Sequence, residues 1–249
     1  MASLVLIHGG STSGRYWDRL RPLLAPRHLA PDLPGRGARP ADLMTLTVTN
    51  CVDSLLADIH AADLEPALVL MAHSSGGLVI PGLTRALGDR VQHIVYSSAS
   101  IPPEGGNGLD CMKPRHAEGC RKALEAARAA GRTITTLDGP EPSREQASTQ
   151  YGGDPLSDAL VEYELAPERR CPDSFNVYFE ALTWGGVAHD LPATYIRNLR
   201  DRAVPLALQD TMIARSPGPL ETHDFDGGHV PSVTEPERVA DLLNGLSGS

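Results

Sequence analysis

Val69-Leu70-Met71-Ala72-His73-Ser74-Ser75-Gly76-Gly77-Leu78-Val79-Ile80 is the stretch whose reading decides the fold. Ala67 to Met71 is short and continuously apolar, the pattern of a strand buried on both faces, and the small and apolar residues from Ser75 onward continue as a buried helix. Ser74 then falls in the turn between strand and helix. So tight a turn holds its serine in a strained backbone conformation and needs small residues two positions to either side, where strand and helix nearly touch. Ala72 and Gly76 occupy those positions, Ala72 with a methyl where glycine is commoner. The turn lifts the hydroxyl clear of the sheet edge and sets the next N–H groups at a helix N-terminus, where they face a developing oxyanion. Ser74 is therefore a candidate nucleophile. A small-x-Ser-x-small string also describes a plain glycine-rich helix start, so the case rests on the rest of the chain.

Working outward, Leu4 to Ile7 reads as a first buried strand that ends in His8-Gly9-Gly10 and a loop of small residues, Ser11 to Gly14. Glycine there lets the backbone approach a ligand closely. Tyr16 to Leu24 reads as an amphipathic helix, with Trp17, Leu20 and Leu24 at helical spacing and Pro22 awkward inside it. His28 to Pro31 is a weak strand, followed by the turn-rich Asp32-Leu33-Pro34-Gly35-Arg36-Gly37. Thr47 to Asp63 has helical period through Val48, Val52, Leu55, Leu56 and Ile59, with Thr49 or Asn50 as its cap. The helix after Ser74 ends near Gly88, and Val91 to Tyr96 is a strand closing in Ser97-Ser98-Ala99-Ser100.

From Ile101 to about Val187 the alternation of strands and helices fails, leaving helix-like pieces at Cys120 to Ala130 and Ser157 to Tyr163. An insertion after a strand end is expected to lie over the functional edge as a cap. Phe175, Tyr178, Phe179, Leu182 and Trp184 either line a pocket there or pack the cap down, and packing is the favoured reading. The pattern resumes with a strand at Ala193 to Ile196, a helix from Pro205 to about Ala214, a last strand at Leu220 to Phe225, and a final helix from Glu235 to Leu246 begun by Thr234, with Pro236 in its first turn. Strands alternating with helices imply an α/β fold, a mostly parallel twisted sheet with helices on both faces, whose ligands bind at the carboxyl ends of the strands. The expected organisation is a core of residues 1–101 and 188–249 with a cap insertion at 102–187.

The whole-chain quantities fit one soluble domain of this kind. There are 249 residues, 41% hydrophobic and 21% charged, which excludes disordered and fibrous classes. A formal charge of −9 without any basic run argues against sequence-independent nucleic-acid binding. Met1 to Ile7 lacks a basic leader and is too short for a signal peptide or a membrane span, so the expected location is cytoplasmic and no membrane partner is expected. Cys51, Cys111, Cys120 and Cys171 have neither zinc nor redox spacing and read as free thiols, with a Cys111–Cys120 pair left open. Oligomeric state has no signature in the sequence.

A serine hydroxyl needs a base to take its proton, and the resulting imidazolium needs a carboxylate to orient it and balance its charge. Asp201 and His229 each follow a strand, on the edge that carries Ser74, and the order Ser, Asp, His is one known chain order for this chemistry. Asp224 and Asp226 lie nearer His229 in sequence but read as solvated turn residues. Ser75 as nucleophile would put His73 where a small residue is needed. His8 reads as a loop holder, and His28, His60, His93, His116, His189 and His223 as structural or solvated.

His8-Gly9-Gly10, Asp32-Leu33-Pro34-Gly35, Ala72-His73-Ser74-Ser75-Gly76-Gly77, Tyr195-Ile196 with Asp201-Arg202-Ala203-Val204-Pro205, and Gly227-Gly228-His229 together resemble the α/β-hydrolase superfamily. The likeness is greatest to the compact branch that holds plant methyl esterases and hydroxynitrile lyases, and it is loose over the cap. The resemblance implies Ser74 as nucleophile, His229 as general base and then acid, Asp201 as the orienting carboxylate, and the N–H groups of Gly10 and Ser75 as the oxyanion hole. It implies hydrolysis of a small carboxylic ester or lactone, with no metal or organic cofactor. A serine at the elbow excludes the related dehalogenases and epoxide hydrolases, which attack with a carboxylate there. Two rival readings are a hydroxynitrile-lyase-like C–C lyase and a slow-turnover ligand sensor. The lyases carry Thr and Lys where this chain has Gly9 and Val230.

Overall fold

A computed structural model describes residues 1–131 and 169–248, with residues 135, 143–145, 160 and 166 between them. Six strands, β1 (Ser3–Ile7), β2 (His28–Leu29), β3 (Leu68–His73), β4 (Val91–Ser97), β5 (Ala193–Asn198) and β6 (Leu220–Phe225), form one sheet in the order β2-β1-β3-β4-β5-β6. Every pairing is parallel. Side chains alternate across a strand, so the central strands feed two cores. Val5, Ile7, Leu68, Leu70 and Ala72 point into one, with α1 (Val48–Ala61) and α2 (Ile80–Leu87). Leu4, Leu6, Val69 and Met71 point into the other, with Trp17, Val239 and Leu243. Burial on both faces is why these strands read as unbroken apolar runs.

Connections between parallel strands place all the carboxyl ends at one edge. The chain winds from β1 outward to β2, then crosses back to β3, so the sheet order reverses between β1 and β3. Ile7 pairs with Ala72, and the loops that follow, Gly9-Gly10 and Ser74-Ser75, leave that reversal side by side. Farther along the same edge lie Ser98 after β4, Asp201 after β5 and His229 after β6.

Local winding departs from expectation in four places. Tyr16 to Leu24 is not one helix but two 3₁₀ turns, Gly14–Trp17 and Arg21–Leu23, because Pro22 has no N–H to continue the ladder; Trp17 and Leu20 are nevertheless fully buried. Helix α1 is capped by Thr47 rather than Thr49 or Asn50: its hydroxyl accepts the Asn50 N–H at 3.1 Å, while the Asn50 side chain accepts the Thr47 N–H at 3.1 Å. Ser74–Val79 winds as 3₁₀ helix before α2, since the Ser74 carbonyl is taken by the Ser100 N–H at 2.9 Å. The final helix follows a separate short turn, Pro231–Thr234, in which Thr234 turns its hydroxyl back to the Val230 carbonyl instead of opening the next helix.

Between β4 and β5 run a 3₁₀ turn at Gly108–Cys111, helix α3 (Pro114–Ala130) and a second turn at Phe175–Tyr178. The helix expected at Ser157 to Tyr163 lies outside the described residues, Leu160 apart. Tyr178 and Trp184 are buried in the core on the α1 side and Phe175, Phe179 and Leu182 pack against it, as the packing reading expects; the Trp184 indole N–H donates to the Pro102 carbonyl at 2.8 Å. Downstream are α4 (Leu206–Ile213), α5 (Pro231–Thr234) and α6 (Pro236–Ser247). All four cysteines are free and buried, so Cys111 and Cys120 do not pair. Among the described residues no helix is long and apolar enough to cross a membrane.

Candidate active site

The elbow at Ser74 has the conformation its neighbours suggest. Ser74 has φ +51°, a left-handed value that costs a residue with a Cβ about 1–3 kcal/mol and persists where the surroundings impose it. A Cβ on Gly76 would lie 2.6 Å from the His8 carbonyl oxygen and 2.8 Å from that of Ile7, so only glycine lets the turn close against β1.

Ser74, Asp201 and His229, brought from three loops, meet at the sheet edge. His229 Nε2 is 3.0 Å from Ser74 Oγ, and His229 Nδ1 is 2.7 Å from Asp201 Oδ2. With Nδ1–H donating to the carboxylate, Nε2 carries the lone pair that accepts the Ser74 hydroxyl proton. Asp201 is buried and its other oxygen accepts the Val204 N–H at 2.8 Å. Burial would push this carboxyl up, but the His229 imidazole and the hydrogen bonds from His229, Val204 and Ser98 hold it below the usual carboxylate range. Asp224 and Asp226 are engaged elsewhere, with Arg197 at 2.7 Å and Arg200 at 3.0 Å. Ser75 hydrogen-bonds Tyr178 through its side chain.

Two further histidines brace this arrangement. His73 stacks on Tyr16, with ring centroids 4.3 Å apart, and its Nε2–H donates to the His229 carbonyl at 2.8 Å, fixing the backbone of the loop that carries the imidazole. His8 donates from Nδ1 to the Gly9 carbonyl at 2.9 Å and accepts the Leu33 N–H on Nε2 at 3.1 Å, so it holds the Gly9-Gly10 loop, as expected of it. Burial depresses both rings to about 3; the His229 ring adds to the effect at His73, and the Arg36 cation adds to it at His8. Both are neutral near pH 7.

Behind Asp201 is a buried amide lattice. Asn198 donates to Ser98 Oγ at 2.7 Å, and Gln209 bonds the Asn198 N–H, the Asn198 carbonyl and the Val204 carbonyl at 2.8–2.9 Å. Sequence reasoning assigned none of His73, Asn198 or Gln209 a role. Gln209 sits in an ordinary helix, and only the fold reveals that it ties β5 to the Asp201 loop.

Gly10 and Ser75 also adjoin. A Cβ on Gly10 would lie 3.3 Å from Ser75 Oγ, and one on Gly9 would lie 2.8 Å from Ser74 Cβ. Among the described residues no three His, Cys, Asp or Glu side chains converge as a metal site. An imidazole set between a hydroxyl and a buried carboxylate can move one proton on and off the hydroxyl, the requirement for nucleophilic attack on a carbonyl.

Known proteins share the frame. An extracellular alpha/beta-hydrolase from a Paenibacillus species superposes with a TM-score of 0.81 at 23% identity, over 100% of both chains. The pyrethroid hydrolase of Sphingobium wenxiniae is 25% identical over 255 residues, spanning 98% of this chain and 86% of that protein. Esterase PIR7B of rice, Oryza sativa subsp. japonica, is 26% identical over 252 residues, spanning 96% and 93%. The family model described as the alpha/beta hydrolase family matches residues 4–242, which takes in all six strands but for Ser3, and the chain belongs to that family.

Proposed function

We propose that the protein is a serine hydrolase that cleaves a small carboxylic ester or lactone through an acyl-enzyme. The observation that carries this reading is the unbroken relay from Ser74 Oγ through His229 to Asp201, at 3.0 and 2.7 Å. The names of the pyrethroid hydrolase and the rice esterase support the same class of reaction. Residues 102–187 act in this reading as a cap over the site.

Ser74 Oγ attacks the ester carbonyl while His229 Nε2 takes its proton. The oxyanion that forms is held by the N–H groups of Gly10 and Ser75, each such donor being worth about 3 kcal/mol in the transition state. Asp201 keeps the imidazolium oriented and balances its charge. Collapse of the intermediate breaks the C–O bond, and His229 returns the proton to the departing alcohol. Water, deprotonated in turn by His229, then releases the acid and restores Ser74.

A fluorophosphonate probe and a short p-nitrophenyl ester test this. Labelling confined to Ser74, with turnover that falls at least about 10³-fold in Ser74→Ala, is the expected result. Labelling without appreciable turnover across a panel of esters and lactones would replace the esterase by a ligand sensor. Unchanged turnover in Ser74→Ala would overturn the reading outright.

A further inference from the structure

The deepest ion pair among the described residues lies beside the Gly9-Gly10 loop, in a place the triad chemistry does not use. Arg36, in the loop after β2, pairs with Asp173, in the segment between β4 and β5; their side chains are 3% and 0% exposed. Tyr178 donates its hydroxyl to the other oxygen of Asp173 at 2.7 Å and also hydrogen-bonds the Ser75 side chain. A Cβ on Gly10 would lie 2.7 Å from Asp173 Oδ2 and 3.0 Å from the Tyr178 oxygen, so the cluster abuts the Gly10 backbone.

Burying such a pair is a poor source of stability. Apolar side chains of similar volume are often as good or better, and here Arg36 Nε has no partner among the described residues. Direction is what the pair does supply. Arg36 Nη1 donates to the Gly9 carbonyl at 2.9 Å, the same oxygen that accepts the His8 Nδ1–H. The 9–10 peptide is trans and planar, so its N–H, that of Gly10, points opposite to its carbonyl. Two donors gripping the Gly9 oxygen therefore set the bearing of the Gly10 N–H. Asp173 sets the guanidinium, and the Cys171 N–H, bonded to the Ser11 carbonyl at 3.1 Å, fastens the same segment to the other side of the loop.

We propose that Arg36 is a positioning residue for the oxyanion hole, and that Asp173 and Tyr178 make its alignment depend on the docked 171–178 segment. This rests on the proposed role of the Gly10 and Ser75 N–H groups. A donor contributes most when it is already aimed at the place where charge develops, so misdirecting the Gly10 N–H should weaken binding of the transition state while sparing that of the ground state.

Arg36→Met, Arg36→Lys and Tyr178→Phe, each checked for folding by circular dichroism and thermal melting, test this. The measurements are kcat and KM on a p-nitrophenyl ester and inhibition by a trifluoromethyl ketone, which forms a tetrahedral adduct, beside the methyl ketone of the same shape, which does not. Arg36→Met is expected to lower kcat and trifluoromethyl ketone affinity together by about 10–100-fold, short of the 10²–10³-fold for deleting a donor, with KM and methyl ketone affinity within about threefold. Arg36→Lys, with one donor left for the Gly9 oxygen, should recover part of the loss. Tyr178→Phe, which leaves no buried charge unpaired, should lose about 3–10-fold on the same two readouts and carries the test if Arg36→Met does not fold. A folded Arg36→Met with kcat within threefold of the parent overturns the proposal, as does an equal loss of affinity for both ketones. So does a Tyr178→Phe without loss where Arg36→Met fails to fold. Failure of the underlying serine reading looks different: Ser74→Ala would then keep its turnover, whatever Arg36 did.

Discussion

Acidifying the protein from pH 7.5 to 5.0 should cost it about 4 kcal/mol of folding stability, and two buried histidines other than His229 are the reason. His8 and His73 are buried, and burial lowers each from an ordinary 6.5 to about 3. The unfolded chain binds a proton at each near pH 6.5, the folded chain only near 3, so unfolding between those limits takes up protons. Stability that is full above pH 6.5 is therefore lost as the pH falls. At about 1.4 kcal/mol per pH unit, the drop from 6.5 to 5.0 removes about 2 kcal/mol for each ring. Carboxyls held low, such as Asp201, act in a lower window, because their stabilisation is lost only as pH falls through their folded values, beneath the usual carboxylate range. The half-buried His93, also lowered by burial, adds to the loss with the same sign. Urea unfolding followed by the fluorescence of Trp17 and Trp184, both buried, measures the free energy at each pH. His73→Phe, which keeps an aromatic ring against Tyr16 but cannot titrate, should show about half the pH dependence. A parent protein that loses less than about 1 kcal/mol over this range, or a variant with the parent's full slope, would refute the account of these two rings as buried neutral braces.

Three further outcomes follow from the geometry. Asp201→Asn should fold normally and lose about 10³–10⁴-fold in kcat on a p-nitrophenyl ester, because the amide no longer holds His229 with its lone pair toward Ser74. Gly76→Ala, whose methyl must displace the carbonyls of Ile7 and His8, should cost at least about 2 kcal/mol and lower the melting temperature by several degrees, by calorimetry. The four buried thiols should resist Ellman's reagent in the native protein and titrate as four after denaturation without reductant; two titrating would mean a disulfide.

Much of the frame was legible because it rests on short-range physics. A strand buried on both faces reads as a nearly continuous apolar run, so β1, β3 and the Ile94–Tyr96 part of β4 announce themselves, and the sharp turn at Ser74 demands small neighbours that can be read off five letters. The order Ser, Asp, His along parallel strands is legible for the same reason, since parallel strands send every following loop to one edge. Winding inside those loops was not legible. The 3₁₀ winding after Ser74 answers to a tertiary partner, the Ser100 N–H, which periodicity does not see; around Pro22 the apolar spacing of a helix outweighed a proline that was already in view.

Sequence by itself thus determined the parallel α/β frame, the elbow and three residues that could act together. Tertiary structure alone decided the 3.0 and 2.7 Å contacts that link them, the two neutral histidines that brace them, and the joining of Arg36 to Asp173 across 137 positions. The physical reason is range. Apolar periodicity and turn sterics act between neighbours in the chain, whereas a hydrogen bond or a buried charge pair forms only where folding has brought distant groups within about 3 Å and removed the water between them.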